Sequence, residues 1–182
     1  MSGHSKWSQI KHQKGIADQK RAQVFSKLLN VISVAARTDP NPEFNPKLRT
    51  AIQKAKEANV PSDNIERALK RALETSGNID ELVLEAYGPG GSAILIEAVT
   101  DNKNRTVAEI KSILAKNNGK WAELGSVLWA FKKTSKDGQN YWEAKFPQAL
   151  NPEDSKKLAL LTSILKNDQD VQNIFTNTSA NL

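Results

Sequence analysis

The sequence predicts an α+β protein: a three-helix bundle with a basic arm over residues 1–76, followed by a ferredoxin-like split-βαβ domain over residues 77–182. Three observations predict it. Apolar residues recur at helical spacing as far as about residue 74, and gather into short β-branched or alternating runs beyond it. Asn-Pro, Pro-Ser and Gly-rich steps mark where segments begin and end. The charge is divided the same way. Residues 1–76 hold 14 Lys or Arg against 7 Asp or Glu, whereas residues 77–182 hold 12 against 13.

Val24, Leu28, Leu29, Val31, Ile32 and Ala35 form one apolar face, which predicts a helix from about Asp18 to Arg37. The run Thr38-Asp39-Pro40-Asn41-Pro42 ends it. Asn45-Pro46 reads as a cap with proline in the first turn, opening a second helix through Ala58. Pro61-Ser62 opens a third, from about Asp63 to Glu74, and Ser76-Gly77-Asn78 is the boundary.

Beyond the boundary, Leu82–Tyr87 predicts a strand, Gly88-Pro89-Gly90-Gly91 a tight turn and Ser92–Thr100 a second strand. Thr106-Val107-Ala108-Glu109 matches a capping box and predicts a helix to about Asn117, closed by Asn118-Gly119. Strands are expected at Ser126–Lys132, Tyr141–Phe146 and Val171–Phe175, with a helix from Asn151-Pro152 to Lys166. From Ser92 onward the order strand, helix, strand, strand, helix, strand is that of a four-stranded sheet with two helices on one face.

Composition narrows the function. With no cysteine, disulfides, thiolate nucleophiles and Cys-based zinc sites are excluded, which fits a reducing compartment. No apolar run approaches the roughly 18 residues of a membrane span, and the N-terminus lacks the apolar core of a secretory signal. Its Lys-rich character also differs from the Arg- and Ser-rich transit peptides.

The strongest functional signal is the first 37 residues, where seven Lys or Arg face a single acid, Asp18. His4, Lys6, Trp7, Lys11, His12, Lys14, Lys20, Arg21 and Lys27 are the candidate nucleic-acid-binding residues, since cations beside an aromatic ring suit a polyanion with flat bases. The cations do not fall on one helical stripe. The expectation is therefore a partly flexible arm that settles on a phosphate backbone as it binds. His4 and His12 would stand about 80° apart on a helix with no acidic cluster nearby, so phosphate hydrogen bonding is expected of them, not metal binding or catalysis.

Gly88, Gly90 and Gly91 offer a secondary backbone contact, and Lys103 and Arg105 a secondary charged one. The glycine turn lacks P-loop spacing and leads into a strand, so turn chemistry is its first explanation. Glu97, Asp101 and Glu109 flank a strand–turn–helix junction; capping and solubility explain them more simply than a metal does. Trp129 is expected to pack in the core or on the sheet, while Tyr141 and Trp142 should divide between a buried and an exposed face. No cofactor and no catalytic residue is indicated.

Gly3-His4-Ser5-Lys6-Trp7, Ile10-Lys11-His12-Gln13-Lys14, Asp18-Gln19-Lys20-Arg21 and Phe25-Ser26-Lys27-Leu28 resemble the opening signature of the YebC/PmpR family. Asn45-Pro46-Lys47-Leu48-Arg49, Glu85–Gly91 and Asp101–Thr106 resemble later motifs of the same family, over residues 1–132, and residues 152–177 look like its closing helix and strand. The resemblance implies a cytoplasmic, non-enzymatic protein that binds DNA as a transcriptional regulator. Its mitochondrial relatives look like translational activators and bacterial members are linked to the ribosome, so contact with ribosomal RNA is the alternative. Family members usually insert a third domain after the strand matching Val127–Lys132. Here only about a dozen residues, around Thr134–Phe146, stand in that place. From a different class, an adaptor using the sheet to bind a protein partner would not need the cations of the arm.

Overall fold

The computed structural model describes residues 3–74, 79–136 and 139–179, and of the first helix it leaves the side chains of residues 3–10, 12, 13 and 16 outside that description. The chain divides into two compact units, residues 1–76 and 77–182.

The first unit holds α1 (Gly3–Thr38), α2 (Pro46–Glu57) and α3 (Ser62–Glu74). The packed part of α1 runs from Phe25 to Ala36. There Ile32, Ala35 and Ala36 meet Leu48, Ala51 and Ala55 of α2 and Ile65 and Ala68 of α3. So many alanines let the helix backbones approach closely. Asn45, only 6% exposed, joins two helix ends. Its side-chain oxygen accepts from the Leu48 amide at 3.0 Å as the cap of α2, while its Nδ2 donates to the carbonyls of Ala35 and Asp39 at the end of α1, each at 2.7 Å. Replacing it with alanine removes a cap and leaves carbonyls unsatisfied. Asn45→Ala should lower unfolding free energy by about 2–3 kcal/mol in a urea titration.

The second unit holds β1 (Asp80–Tyr87), β2 (Ala93–Thr100), α4 (Lys103–Lys116), β3 (Lys120–Ala122), β4 (Phe131–Lys136), β5 (Gln139–Ala144), α5 (Pro152–Lys166) and β6 (Val171–Thr176). The four-stranded sheet runs β3-β1-β2-β6 with every neighbouring pair antiparallel, so β2–α4–β3 is a split βαβ unit with β1 between its strands. Leu84, Ala86, Ile94 and Ile96 point from the sheet to Ile110 and Leu114 of α4 and to Leu158, Leu161 and Leu165 of α5. The opposite face, through Ala93 and Leu95, packs on Ala122, Val127, Ala130 and Phe131.

The expected sheet with two helices on one face is therefore present, but its strands are drawn differently. The strand at Leu82–Tyr87 is central to it. Residues Lys132 and Tyr141, expected within it, instead belong to a separate two-stranded hairpin, β4–β5. The strand expected from Ser126 starts only at Phe131. The reason is Glu85, a carboxylate 2% exposed on β1. It accepts the amides of Gly125, Val127 and Leu128 at 2.5, 2.7 and 2.9 Å, so those donors serve a side chain and not a neighbouring strand.

The start of α4 also differs from expectation. Asn102, not a box at Thr106, caps the helix by accepting from the Arg105 amide. Thr106 is fully buried inside the first turn, where its hydroxyl meets Thr100 at 2.8 Å and donates to Asp170 at 2.7 Å.

Candidate nucleic-acid interface

The basic arm is a helix. The backbone of α1 is continuous from Gly3 to Thr38, so the helix begins well before the start expected at about Asp18. Local chemistry explains it: Lys, Gln, Ala and Arg are good helix formers, no proline interrupts them, and Gly15 is the one strongly unfavourable interior residue, at about 1 kcal/mol. No apolar periodicity signals this stretch. Every side chain described between Lys11 and Ala22 is exposed, and partial burial begins only at Gln23.

On that exposed rod, Lys11, Lys14 and Arg21 fall within about 80° of one another at 100° per residue, and Lys20 lies about 100–120° from Lys14 and Arg21. Lys11 and Arg21 are separated by about 15 Å along the axis. These four cations therefore line two sides of one helix. Lys27 sits where α1 begins to pack and is half-buried. His4, Lys6, Trp7 and His12 lie on the helical backbone of α1, with their side chains outside the described residues.

Of the secondary candidates, the glycine turn and Arg105 make contacts within the fold. In the glycine turn the Gly88 amide donates to the Ser92 carbonyl at 2.7 Å and the Gly91 amide to the Gly88 carbonyl at 3.1 Å. The Gly90 carbonyl accepts from Gln148 Nε2 at 2.7 Å. Gly90 has φ +66°, a left-handed conformation that favours glycine, and a Cβ there would come within 2.6 Å of the end of the Leu150 side chain, which would have to shift. The turn is thus a packing element.

Arg105 is likewise engaged. Its guanidinium meets Asp170, which is 3% exposed, at 2.8 Å and Asp101 at 3.2 Å. The hydrogen bond to Asp170 raises the Arg105 pKa above its ordinary value, against the opposing effect of desolvation. Lys103, by contrast, is exposed in the first turn of α4.

The acids Glu97, Asp101 and Glu109 are not brought together. Glu97 accepts from Trp142 Nε1 and from Asn173 Nδ2, both at 2.9 Å, while Asp101 pairs with Arg105. Glu109 instead lies with Asp168 and Asp170, their carboxylate oxygens within 4.8 Å of one another. Asp170 is already held by Arg105 and Thr106, and Glu109 is exposed.

Trp129 is 62% exposed, which excludes the core and leaves the placement on the sheet that was expected as its alternative. Tyr141 and Trp142 are both half-buried, because β5 belongs to a hairpin lying over the sheet and not to the sheet itself. Among the described residues, no helix is long and apolar enough to cross a membrane.

The sequence can be placed among known proteins. The model of the TACO1/YebC protein N-terminal domain matches residues 5–75, and that of the TACO1/YebC second and third domain matches residues 79–138. A "Probable transcriptional regulatory protein" of Desulfosudis oleivorans is 55% identical over 136 residues, covering 73% of this chain and 55% of that relative. One from Trichlorobacter lovleyi with the same name is 54% identical over the same length. The chain spans about half the length of the curated relatives it matches. The crystal structure of a conserved hypothetical protein, Aq1575 from Aquifex aeolicus, superposes with a TM-score of 0.79 at 29% identity, covering 88% of this chain and 90% of the other. On the matched residues of both domain models, the chain belongs to the TACO1/YebC family.

Proposed function

We propose that this chain is a nucleic-acid-binding regulator of gene expression, and that it binds by laying the exposed part of α1 along duplex DNA. The observation that carries this reading is a helix with four exposed cations, Lys11, Lys14, Lys20 and Arg21, against one acid, Asp18, with every described side chain of that stretch exposed. The DNA major groove is wide enough for an α-helix and has phosphates on both walls. Cations on two sides of one helix meet both walls; a single stripe would meet one. The deep, narrow major groove of A-form RNA does not admit a helix in this way, which favours DNA over an RNA duplex. The names of the relatives as probable transcriptional regulatory proteins support the same reading. The reading contains no catalytic step.

A ribosome-associated translation factor would direct the same cations to ribosomal RNA. Mobility shift on duplex DNA and co-sedimentation with large ribosomal subunits, both at about 150 mM salt, separate the two. The DNA reading expects a shifted duplex. Co-sedimentation with subunits while the duplex stays unshifted would replace it with the ribosomal one.

A further inference from the structure

On the sheet face opposite α4 and α5, the second unit carries a group of exposed aromatic rings that the duplex contact does not use. Trp129 is 62% exposed, Phe146 59% and Tyr87 37%. The rings of Trp129 and Phe146 stand 5.8 Å apart at a 47° tilt. Tyr87 is tied to them through a shared acceptor, since Tyr87 Oη donates to the Ser126 carbonyl at 3.2 Å and Trp129 Nε1 donates to the same oxygen at 2.8 Å. Their polar tips are thereby satisfied inside the protein. What remains for a partner is ring surface. Isolated exposed apolar residues need no explanation, but here two rings are neighbours and a third shares an acceptor with one of them.

The connection carrying Ser126 and Trp129 is anchored to the sheet through one side chain. The Glu85 carboxylate grips the amides on both sides of Ser126, at Gly125 and at Val127 and Leu128. Its surroundings are cationic. Exposed Lys120 stands directly across from Tyr87 in the β1–β3 register, and exposed Lys145 adjoins Phe146 and donates its amide to the Ala130 carbonyl. Lys133 lies over Trp142 and Lys132 pairs with Glu143, while Glu123 is an exposed acid on the same connection.

We propose that Tyr87, Trp129 and Phe146 form a base-stacking platform for single-stranded nucleic acid, with Lys120 and Lys145 holding its phosphates. Exposed rings beside lysines are what sequence-tolerant single-strand binding requires, because every base presents a π face and every linkage a charge. The surplus of lysines matches the phosphates that accompany every base. The proposal goes beyond the duplex reading and stands or falls without it.

The test compares the full chain with Trp129→Ala, Phe146→Ala and Trp129→Tyr on a labelled single-stranded oligonucleotide of about a dozen nucleotides, as DNA and as RNA, and on a duplex. Each alanine variant should bind the single strand about tenfold more weakly, in line with the cost of losing one stacked base. Trp129→Tyr should retain most of the affinity, and duplex binding should stay within about twofold for all three. Unchanged single-strand affinity in the Trp129→Ala, Phe146→Ala double variant would overturn the proposal. So would an equal loss on duplex and single strand, or a loss in Trp129→Tyr as large as in Trp129→Ala. Self-association of the wild type that the alanine variants abolish, with single-strand binding intact, would assign the patch to a second copy instead.

Discussion

Changing Lys11, Lys14, Lys20 and Arg21 together to Glu should weaken binding to duplex DNA by a factor on the order of 10³ at about 150 mM salt. The magnitude follows from counterion release. Each phosphate neutralised releases about 0.9 counterion from duplex DNA, so four lost contacts remove roughly three decades of affinity at this salt, and repulsion by the new carboxylates adds to the loss. Because these side chains are exposed, the same variant should unfold at a urea midpoint close to that of the wild type. An adaptor that works through its sheet predicts the opposite outcome, with nucleic-acid binding irrelevant and function intact.

Glu85→Ala should be among the most destabilising single substitutions in the second unit, at about 3–5 kcal/mol in a urea titration. The carboxylate is 2% exposed and accepts three backbone amides. Removing it leaves those donors without their acceptor and leaves a void beside Ala122 and Val127, which pack on the same face of the sheet. Hydrogen bonds to a charged group contribute about 1.5–3 kcal/mol each, but solvent reaches exposed Gly125 and softens the total. Glu85→Gln keeps one acceptor oxygen and should fall between wild type and alanine. A loss below about 1 kcal/mol for Glu85→Ala would show that residues 123–130 are held by packing alone. Against a typical domain stability of about 5–15 kcal/mol, the expected loss is a large share, so Glu85→Ala belongs with folding measurements and not with binding ones.

How much of this was legible in the residues depended on whether the signal was local. The starts of α2 and α5 were, since Asn45-Pro46 and Asn151-Pro152 each place a capping side chain before a proline that fits the first turn. The C-terminal limit of α1 was also legible, as Asp39-Pro40 forbids its continuation. Its first half was not, because that stretch has no apolar periodicity to read. The strand expected at Ser126 failed for a non-local reason: an acid some forty residues earlier captures the amides that a strand would have paired. That one substitution of partner also brought Trp129 to the surface, on a short 3₁₀ turn at Leu128–Ala130. Asp170 had no local mark as the buried partner of Arg105 and Thr106, contacts that span about 65 positions. Of the site itself, the cations were visible as charge and family signature. Their arrangement on two sides of a helix needed the backbone.

The central claim is that cations of α1 meet the phosphates of a duplex, and its most direct measurement is the dependence of affinity on salt. Duplex binding titrated from about 50 to 300 mM monovalent salt should give a slope of log K against log salt near −5 if about six cations engage, falling to about −1 to −2 when Lys11, Lys14, Lys20 and Arg21 are reversed. A slope near zero, or one that the reversal leaves unchanged, would contradict it.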